Sequence, residues 1–433
     1  MSPWIDLHWI HQFFGSTVDF MSATHLTEKD TRAAAALQNT LPTGNPDRRL
    51  SAALWCAGVA TFALMYAPQG LLTQIGHDAS VSPAQASLLV SAATLGLALS
   101  VLPWARFSDR VGRPTAMRYA AATAGLLAVA VPWLPTFDAL VAGRFVQGVA
   151  LGGLPALAMT LLHEVAAPAR TTALAGSYVA ATSLGGLSGR LLVVPVADHL
   201  GWRPALAILG VGLAILMTIL IVLLPTGRGR RALVPSAGIL AIHLRDTRLL
   251  ALFGIGALLV GGMVAVFNYL PFRLEAAPYH LAPTVVSLIF LAYLAGTAGS
   301  RAAGWMVGRL GHRTVLMLAC TFMAGGTVLS VAGPLVLILL GVAAITAGLF
   351  VGHAVASGMV GAHAKTGRAQ ATALYNVSYY AGSSLFGWVG GIAWASGQWL
   401  YVAVLVLVLT ALALVLALLP STTARRVVAV ESC

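Results

Sequence analysis

The chain has 433 residues, of which 58% are hydrophobic. Only 9% are charged, against about 25% in an ordinary soluble domain. A soluble globule of this length has no interior large enough for so much apolar surface, and a disordered chain or a secreted disulfide scaffold would have a different composition. The sequence therefore predicts a polytopic membrane protein.

Charged residues interrupt the apolar sequence, and the charge-free segments between them predict the membrane helices. A membrane helix needs about 20 apolar residues. Segments 314–364 and 369–424 are long enough for two helices each, with breaks at Ala332-Gly333-Pro334 and Ser396-Gly397-Gln398. The remaining segments fit one helix each, which gives an all-α membrane protein of twelve helices. They are 50–77, 79–105, 119–137, 145–163, 171–189, 204–227, 249–272 and 276–300.

The net charge of +12 reflects the side of the membrane on which the basic residues lie. With a cytoplasmic N-terminus, 20 of the 25 Lys and Arg fall on the cytoplasmic side, including Arg301 near the end of helix 8. Arg190, Arg203 and Arg273 fall near the outer side, and Arg144 lies within a helix. This positive-inside pattern predicts cytoplasmic N- and C-termini. It also favours contacts with membrane lipids over a nucleic-acid partner.

The basic segment 227–248 separates the first six predicted helices from the last six. We therefore expect two helical bundles joined by a cytoplasmic linker. The predicted parts are a mobile cytoplasmic tail at 1–49, an N-terminal six-helix bundle at 50–226, the linker at 227–248, a C-terminal six-helix bundle at 249–420 and a cytoplasmic tail at 421–433.

The two halves of the sequence repeat each other at an offset of about 200 residues. Thr172-Ala173-Leu174 matches Thr372-Ala373-Leu374, His163 matches His363, and Ser183 matches Ser383. Two parallel halves imply a pseudo-twofold axis along the membrane normal. Repeats of this kind place a substrate site between the halves, near the middle of the bilayer.

The connection between helices 2 and 3 carries the most specific motif. Ala105 to Pro114 reads A-R-F-S-D-R-V-G-R-P and resembles the G-x-x-x-D-R-x-G-R-R pattern of the major facilitator superfamily, a family of secondary transporters. The resemblance implies the fold of that family and a conformational gate formed by Asp109, Arg110, Gly112 and Arg113. The alternative is a solvated loop that only sets the topology. In the second half, Gly308 stands in place of the Asp.

Two further segments resemble the proton-antiporter branch of the same family. Arg144, Gln147 and Gly148 match an R-x-x-Q-G pattern in helix 4, which implies a role for Arg144 in proton coupling. The alternative is an arginine that reaches the outer interface. Helix 5 ends in the glycine-rich segment 185–190, which lacks the proline of the antiporter motif and is equally consistent with close helix packing.

Polar side chains inside the other predicted helices indicate a solute cavity. Tyr and Asn can hydrogen-bond a ligand while presenting apolar faces to it. For any one of them the alternative is a hydrogen bond between helices. The candidate cavity residues are Tyr66, Gln69, Gln147, Asn268, Tyr269, Asn376, Tyr379 and Tyr380.

Longer segments resemble the YnfM-type branch of bacterial inner-membrane transporters, notably 267–274, 352–357 and 379–384. That resemblance implies a monomeric inner-membrane carrier for a small-molecule substrate, with proton-coupled efflux of a drug or a sugar-like compound. A proton-coupled uptake symporter shares the same motifs and stays open. A membrane enzyme or sensor is disfavoured, because no cluster of metal ligands and no nucleophile with its base is evident. We expect no enzymatic activity, cofactor or metal.

A proton-coupled carrier needs a titrating group, and no Asp or Glu lies in the middle of a predicted helix. His353 in helix 10 is the best-placed candidate, because an imidazole changes its charge near neutral pH. Asp109, Glu164 and Glu275 at helix ends are secondary candidates.

Overall fold

The computed structural model describes residues 46–166, 168–225 and 237–419, and all regular structure in these ranges is helical. Most of the predicted N-terminal tail, residue 226, residues 227–236 of the predicted linker and the predicted C-terminal tail lie outside the described residues. A short helix, Ala237–Arg245, precedes the second group of long helices.

Twelve long helices, α1–α12, are found within the described ranges. Ten helical segments are long and apolar enough to cross a membrane, and one of them, Arg368–Leu418, is two helices joined at the non-helical residues Gly397 and Gln398. Arg113–Ala130 is the remaining helix. The bounds are α1 Arg48–Asp78, α2 Pro83–Val111, α3 Arg113–Ala130, α4 Phe137–Val165, α5 Pro168–Leu200, α6 Trp202–Leu223, α7 Thr247–Glu275, α8 Pro283–Leu310, α9 His312–Leu329, α10 Leu335–His363, α11 368–396 and α12 399–418.

Both predicted breaks are confirmed, whereas several predicted helix ends are wrong. α9 ends at Leu329 and α10 begins at Leu335, on either side of the predicted Gly-Pro break. α2 continues through Arg106 to Val111, and α5 continues through Arg190 to Leu200. Charge is a poor marker of a helix end. An arginine can lie within a helix while its long side chain reaches water or a polar interior.

The extended α2 shortens the predicted gating loop to a single residue. Gly112 has φ 90°, and α3 begins at the next residue. Gly311 lies 199 residues later with φ 79°, in the matching turn between α8 and α9. A positive φ of this kind favours glycine, because glycine has no Cβ. The two glycines therefore confirm the sequence repeat at the level of the backbone.

The helices form two bundles, each with its own buried apolar core. Residues of α1–α6 supply most of one large cluster, and residues of α7–α12 supply most of the other. Close packing of α1 on α5 depends on small residues: a Cβ on Gly185 would lie 2.4 Å from the Val59 oxygen, and one on Gly189 would lie 2.5 Å from the Ala63 oxygen. These two glycines of the antiporter-like segment therefore pack helices together.

Asp246 closes the start of α7 and gives a pH-dependent contribution to stability. Its Oδ1 accepts hydrogen bonds from the backbone N–H groups of Arg248 (2.9 Å) and Leu249 (3.3 Å), and its Oδ2 lies 2.9 Å from Nε2 of His363. Burial raises the pKa of Asp246, but the hydrogen bonds from the His363 ring and the two N–H groups lower it by a larger amount. The pKa therefore lies below its usual value.

A group with a lowered folded-state pKa stabilises the protein above the unfolded pKa, and this stabilisation is lost as the pH falls through the folded pKa. We expect Asp246→Ala to lower the free energy of unfolding at pH 7 by about 0.5–2 kcal/mol, as for other lost helix caps. Thermal unfolding of purified protein from pH 7 to pH 3 should show the two proteins converge in acid, with Asp246→Ser as a cap-retaining control. If Asp246→Ala lowers the melting temperature by the same amount at pH 7 and at pH 3, the ionised Asp246 is not the source of this stability.

Candidate functional site

A chain of polar side chains connects the two bundles. Nε of Arg190 donates to Oε1 of Gln69 over 2.7 Å, and Nε2 of Gln69 donates to Oδ1 of Asn268 over 2.6 Å. Nδ2 of Asn268 lies 3.5 Å from the Gly387 oxygen. The chain therefore runs from α5 and α1 in the first bundle to α7 and α11 in the second. We call these four residues and the aromatic side chains around them the inter-bundle site.

Arg190 is the largest fully buried side chain within the described ranges. Its guanidinium carbon lies 4.2 Å from the ring centroid of Tyr66, 4.8 Å from that of Tyr293 and 5.2 Å from that of Phe290. Nη1 donates to the Gly186 oxygen, and Nη2 has no hydrogen-bond partner. Aromatic faces attract a cation, but a buried charge without a counter-ion still carries a desolvation penalty of several kcal/mol.

The sequence-based topology was wrong about Arg190 and Arg301. Arg190 is buried ten residues before the end of α5, so it does not lie near the outer side. Arg301 lies within α8, nine residues before Leu310, rather than at the end of that helix. Both errors arise because the predicted helices were ended at the charges.

Tyrosines and a histidine form the wall of the inter-bundle site on α10 and α11. The His353 ring lies 4.6 Å from the Tyr379 ring, and its Nδ1 lies 2.9 Å from the Tyr375 hydroxyl. Tyr379 contacts Tyr380 edge-on at 5.4 Å. Tyr380 is buried within the apolar core of the first bundle, so α11 contributes across the interface.

The bundles are also joined at the ends of their helices. We define the basic face by the helix ends at Arg113, Arg248, Arg309 and Arg368, and the opposite face by those at Asp78, Leu200 and Glu275. Near the opposite face, Thr73 donates to Glu275 over 3.0 Å, and Thr284 donates to Asp198. Deeper in, Ser384 donates to the Ser91 oxygen over 2.7 Å. These bonds hold α1, α5 and α2 against α7, α8 and α11.

The structure brings part of the predicted cavity set together. Tyr66, Gln69, Asn268, Tyr379 and Tyr380 meet in the inter-bundle site, with His353 beside them. Asn376 is half-buried on α11, one turn before Tyr380.

Of two further predicted cavity residues, one contacts the site and the other lies away from it. The Tyr269 hydroxyl donates over 2.9 Å to the oxygen of Gly387, a residue of the inter-bundle site, and its ring packs on Trp394. Gln147 accepts a hydrogen bond from Arg144 inside the first bundle. Alternation of polar residues along a helix does not reveal which of its faces meets the other bundle.

Arg144 lies in the interior of the first bundle, and it does not reach the outer interface. It is 4% exposed. Its guanidinium donates to the carbonyl oxygens of Leu64 (3.0 Å) and Leu89 (2.9 Å), and also to that of Met65. In a continuous α-helix the Leu64 oxygen would accept from residue 68, which is a proline and has no N–H. Arg144 therefore supplies the donor that Pro68 lacks, at the bend of α1 that presents Tyr66 and Gln69.

The predicted gating residues lie in the first bundle, and one of them forms an ion pair there. Arg113, at the start of α3, pairs with Glu164 near the end of α4. Asp109 is half-buried in the last turn of α2 near Arg113, and Arg110 is exposed. Their role as a gate stays a prediction.

Sequence reasoning missed Arg190 together with Phe290 and Tyr293. One signal was available: the segment from Arg170 to Arg203 contains no charged residue except Arg190 and Asp198, and it is long enough for one extended helix. An arginine in the interior of such a helix is a functional candidate by default. The two α8 aromatics gave no comparable signal, because aromatic residues are common in every helix of this composition.

Comparisons with known proteins agree with this architecture. Residues 53–276 match the family model of the Major Facilitator Superfamily. The chain is 36% identical over 357 residues to the MFS-type transporter YybF of Bacillus subtilis, covering 82% of this chain and 88% of that protein. It is 34% identical over 416 residues to the inner membrane transport protein YnfM of Escherichia coli, covering 95% and 98%.

A solved structure shares the fold at low sequence identity. The structure of a D-xylose-proton symporter superposes with a TM-score of 0.67 at 16% identity, covering 87% of this chain and 98% of that one. The family-model match and the two relatives point to a transporter of a solute and not to an enzyme. The chain is therefore a multi-pass membrane protein that belongs to the Major Facilitator Superfamily.

Proposed function

We propose that the protein is an alternating-access carrier that exports a small organic solute in exchange for protons, with its basic face in the cytoplasm. One observation carries this proposal: the bond Gln69–Asn268 joins the bundles within the inter-bundle site, and the bonds Thr73–Glu275 and Asp198–Thr284 join them between that site and the opposite face. These contacts would close the outer route to the site in this conformation. A solute would then reach the site from the cytoplasm.

The excess of Arg and Lys at one set of helix ends supports the orientation. Small hydrogen-bonding contacts at the opposite face are suited to a gate, because they can be exchanged for water when the bundles rock apart. The predicted gate at Asp109, Arg110, Gly112 and Arg113 would act at the cytoplasmic face in the alternate state.

We assign proton coupling to His353 rather than to Arg144. His353 lies in the wall of the inter-bundle site and can change its charge, whereas Arg144 is held by backbone oxygens inside one bundle. A proton on His353 would add positive charge close to the solute and would change the affinity of the site for it. Glu275, at the outer contact with Thr73, is a second proton acceptor on the same route.

Cysteine labelling tests the access cycle without knowledge of the solute. In a background with Cys56, Cys320 and Cys433 replaced by serine, Val377→Cys reports on α11 at the bundle interface, where Val377 packs against the first bundle. We expect a membrane-impermeant thiol reagent to label it from either side of the membrane.

The pair Asp198→Cys and Thr284→Cys provides a lock for the outer contact, because these two short side chains already touch. Oxidation should abolish labelling of Val377→Cys from the outer side and preserve it from the cytoplasmic side. Reduction should restore the outer labelling, and each single cysteine variant serves as a control. Outer labelling that persists in the oxidised pair would rule out the proposed outer gate.

Direction and coupling are tested in inside-out vesicles with an acidic interior. For a proton-exchanging exporter, a transported solute added to the outside of the vesicles dissipates the pH gradient. For an uptake symporter, only solute loaded into the vesicles does so. We expect the first result, and we expect His353→Gln to remove the effect of solute on the gradient while Arg144→Lys retains it. The reverse pattern would transfer the coupling role to Arg144.

A further inference from the structure

One buried polar atom in the inter-bundle site has no hydrogen-bond partner in the described part of the chain. Nη2 of Arg190 makes no hydrogen bond, although the side chain has no exposed surface. Oγ of Ser383, on α11, is buried beside Tyr66. Buried polar groups are normally satisfied, so the unpartnered donor of Arg190 indicates a missing acceptor.

Other arginines in the described helices show what a structural arginine looks like in this fold. Arg144 donates to three carbonyl oxygens and to Gln147. Arg118 donates to the oxygens of Ile221, Leu224 and Pro225. Arg190 donates to one carbonyl oxygen and one amide, and no carboxylate pairs with it in the described part of the chain. Its position between Tyr66, Phe290 and Tyr293 leaves its charge uncompensated.

We propose that Arg190 binds the carboxylate of an organic anion, which is the solute class of this carrier. This inference rests on the proposed transport function, and it replaces the neutral drug or sugar expected from the sequence. A carboxylate offers the acceptor that Nη2 of Arg190 lacks, and a guanidinium is suited to carboxylates by its planar arrangement of donors. The surrounding tyrosines and Phe290 fit a solute whose body is planar or apolar.

The same contact links solute binding to opening of the outer side. Arg190 donates a hydrogen bond to Oε1 of Gln69, and Gln69 in turn donates one to Asn268 across the interface. A carboxylate on Arg190 competes with Gln69 for the guanidinium and neutralises it. Release of Gln69 weakens the bond to Asn268, so that the anion stabilises the state in which the outer side is open.

The binding test compares acids with their neutral amides on purified full-length protein. The probes are benzoate with benzamide, and succinate with succinamide, in a thermal-shift titration at constant ionic strength. We expect at least one carboxylate to raise the melting temperature while its amide does not. Arg190→Gln should weaken the apparent affinity at least tenfold, and Arg190→Lys should weaken it less. Arg309→Gln, which removes an exposed arginine of α8, is the matched charge control.

Three results would overturn the inference: equal binding of acid and amide, a less than twofold effect of Arg190→Gln, or no stabilisation by either carboxylate. A second readout excludes a purely structural role for Arg190. In membrane vesicles, the bound carboxylate should increase labelling of Val377→Cys from the outer side several-fold in the otherwise unchanged protein and not in Arg190→Lys. An unchanged labelling rate in both proteins would contradict the link to outer opening.

The two proposals fail in different ways. If labelling alternates between the two sides but neither carboxylate binds, the anion site is wrong and the carrier cycle stands. If a carboxylate binds through Arg190 but Val377→Cys is reached from one side only, the access cycle is wrong.

Discussion

Gly148→Ala is expected to prevent recovery of folded protein from the membrane, although it adds a single methyl group. A Cβ at this position of α4 would lie 2.0 Å from the oxygen of Ala93 and 2.7 Å from its carbonyl carbon, both in the backbone of α2. Gly96 of α2 meets the Phe145 oxygen of α4 in the same way, at 2.2 Å. The two helices are therefore in backbone contact at a crossing between two glycines.

A flexible side chain could move aside for the new methyl group, but a helix backbone cannot do so without displacing the whole helix. Overpacking in a core costs about 1–3 kcal/mol and more when the backbone must move, so the loss should reach or exceed the upper end of this range. The measurement is the monodisperse fraction after detergent extraction, followed by thermal unfolding.

Gly212→Ala is the matched control, because no atom lies within 4 Å of a Cβ at Gly212 in α6. It should be recovered as well as the unchanged protein. Normal recovery and stability of Gly148→Ala would show that α2 and α4 are farther apart than described.

Arg144→Met is the second substitution with a large expected effect. It removes the donors to the oxygens of Leu64 and Gln147, which then lack a partner in a water-free interior. A buried acceptor left unpaired costs about 1–3 kcal/mol, and two of them outweigh the gain from no longer burying a charge that was fully hydrogen-bonded. The free energy of unfolding should fall by several kcal/mol.

The role of Pro68 makes this expectation testable in a double-mutant cycle. Pro68→Ala restores an N–H that can donate to the Leu64 oxygen, so it should be less harmful, or even stabilising, in the Arg144→Met background than in the unchanged protein. Strictly additive effects on the melting temperature would show that Arg144 and Pro68 do not share this carbonyl. Proton coupling measured in Arg144→Lys, which keeps a charge and a donor, separates the structural role of Arg144 from a role in proton coupling.

Composition and spacing were sufficient to predict the architecture. Helical spans in a lipid environment need about 20 apolar residues, and this constraint leaves few alternatives. The Gly-Pro break before α10 and the Gly397 break after α11 were both located to within a few residues, because they interrupt long charge-free segments. The turn at Gly112 was recognised as a motif, but its length was overestimated because its arginines were taken as loop residues.

The site was predicted less completely than the fold, for a physical reason. Tyr66, Gln69 and Asn268 were identifiable as polar residues in apolar helices, whereas Arg190 was misplaced by the rule that positive charges mark helix ends. That rule describes the average cost of burying a charge. It fails where three aromatic rings and an amide surround the charge, and sequence spacing does not reveal such a tertiary environment.

Gln69 and Asn268 are separated by 199 residues, which is also the spacing between Gly112 and Gly311 in the two matching turns. They are thus counterparts of each other under the internal symmetry, and counterparts that touch must lie on the symmetry axis. An amide can both donate to and accept from another amide, so this position suits a self-complementary contact between two similar halves. Arg190 has no such twin, since Gly390 occupies the corresponding place 200 residues later. The contact between the bundles is therefore symmetric, whereas the guanidinium of the proposed anion site comes from the first bundle alone.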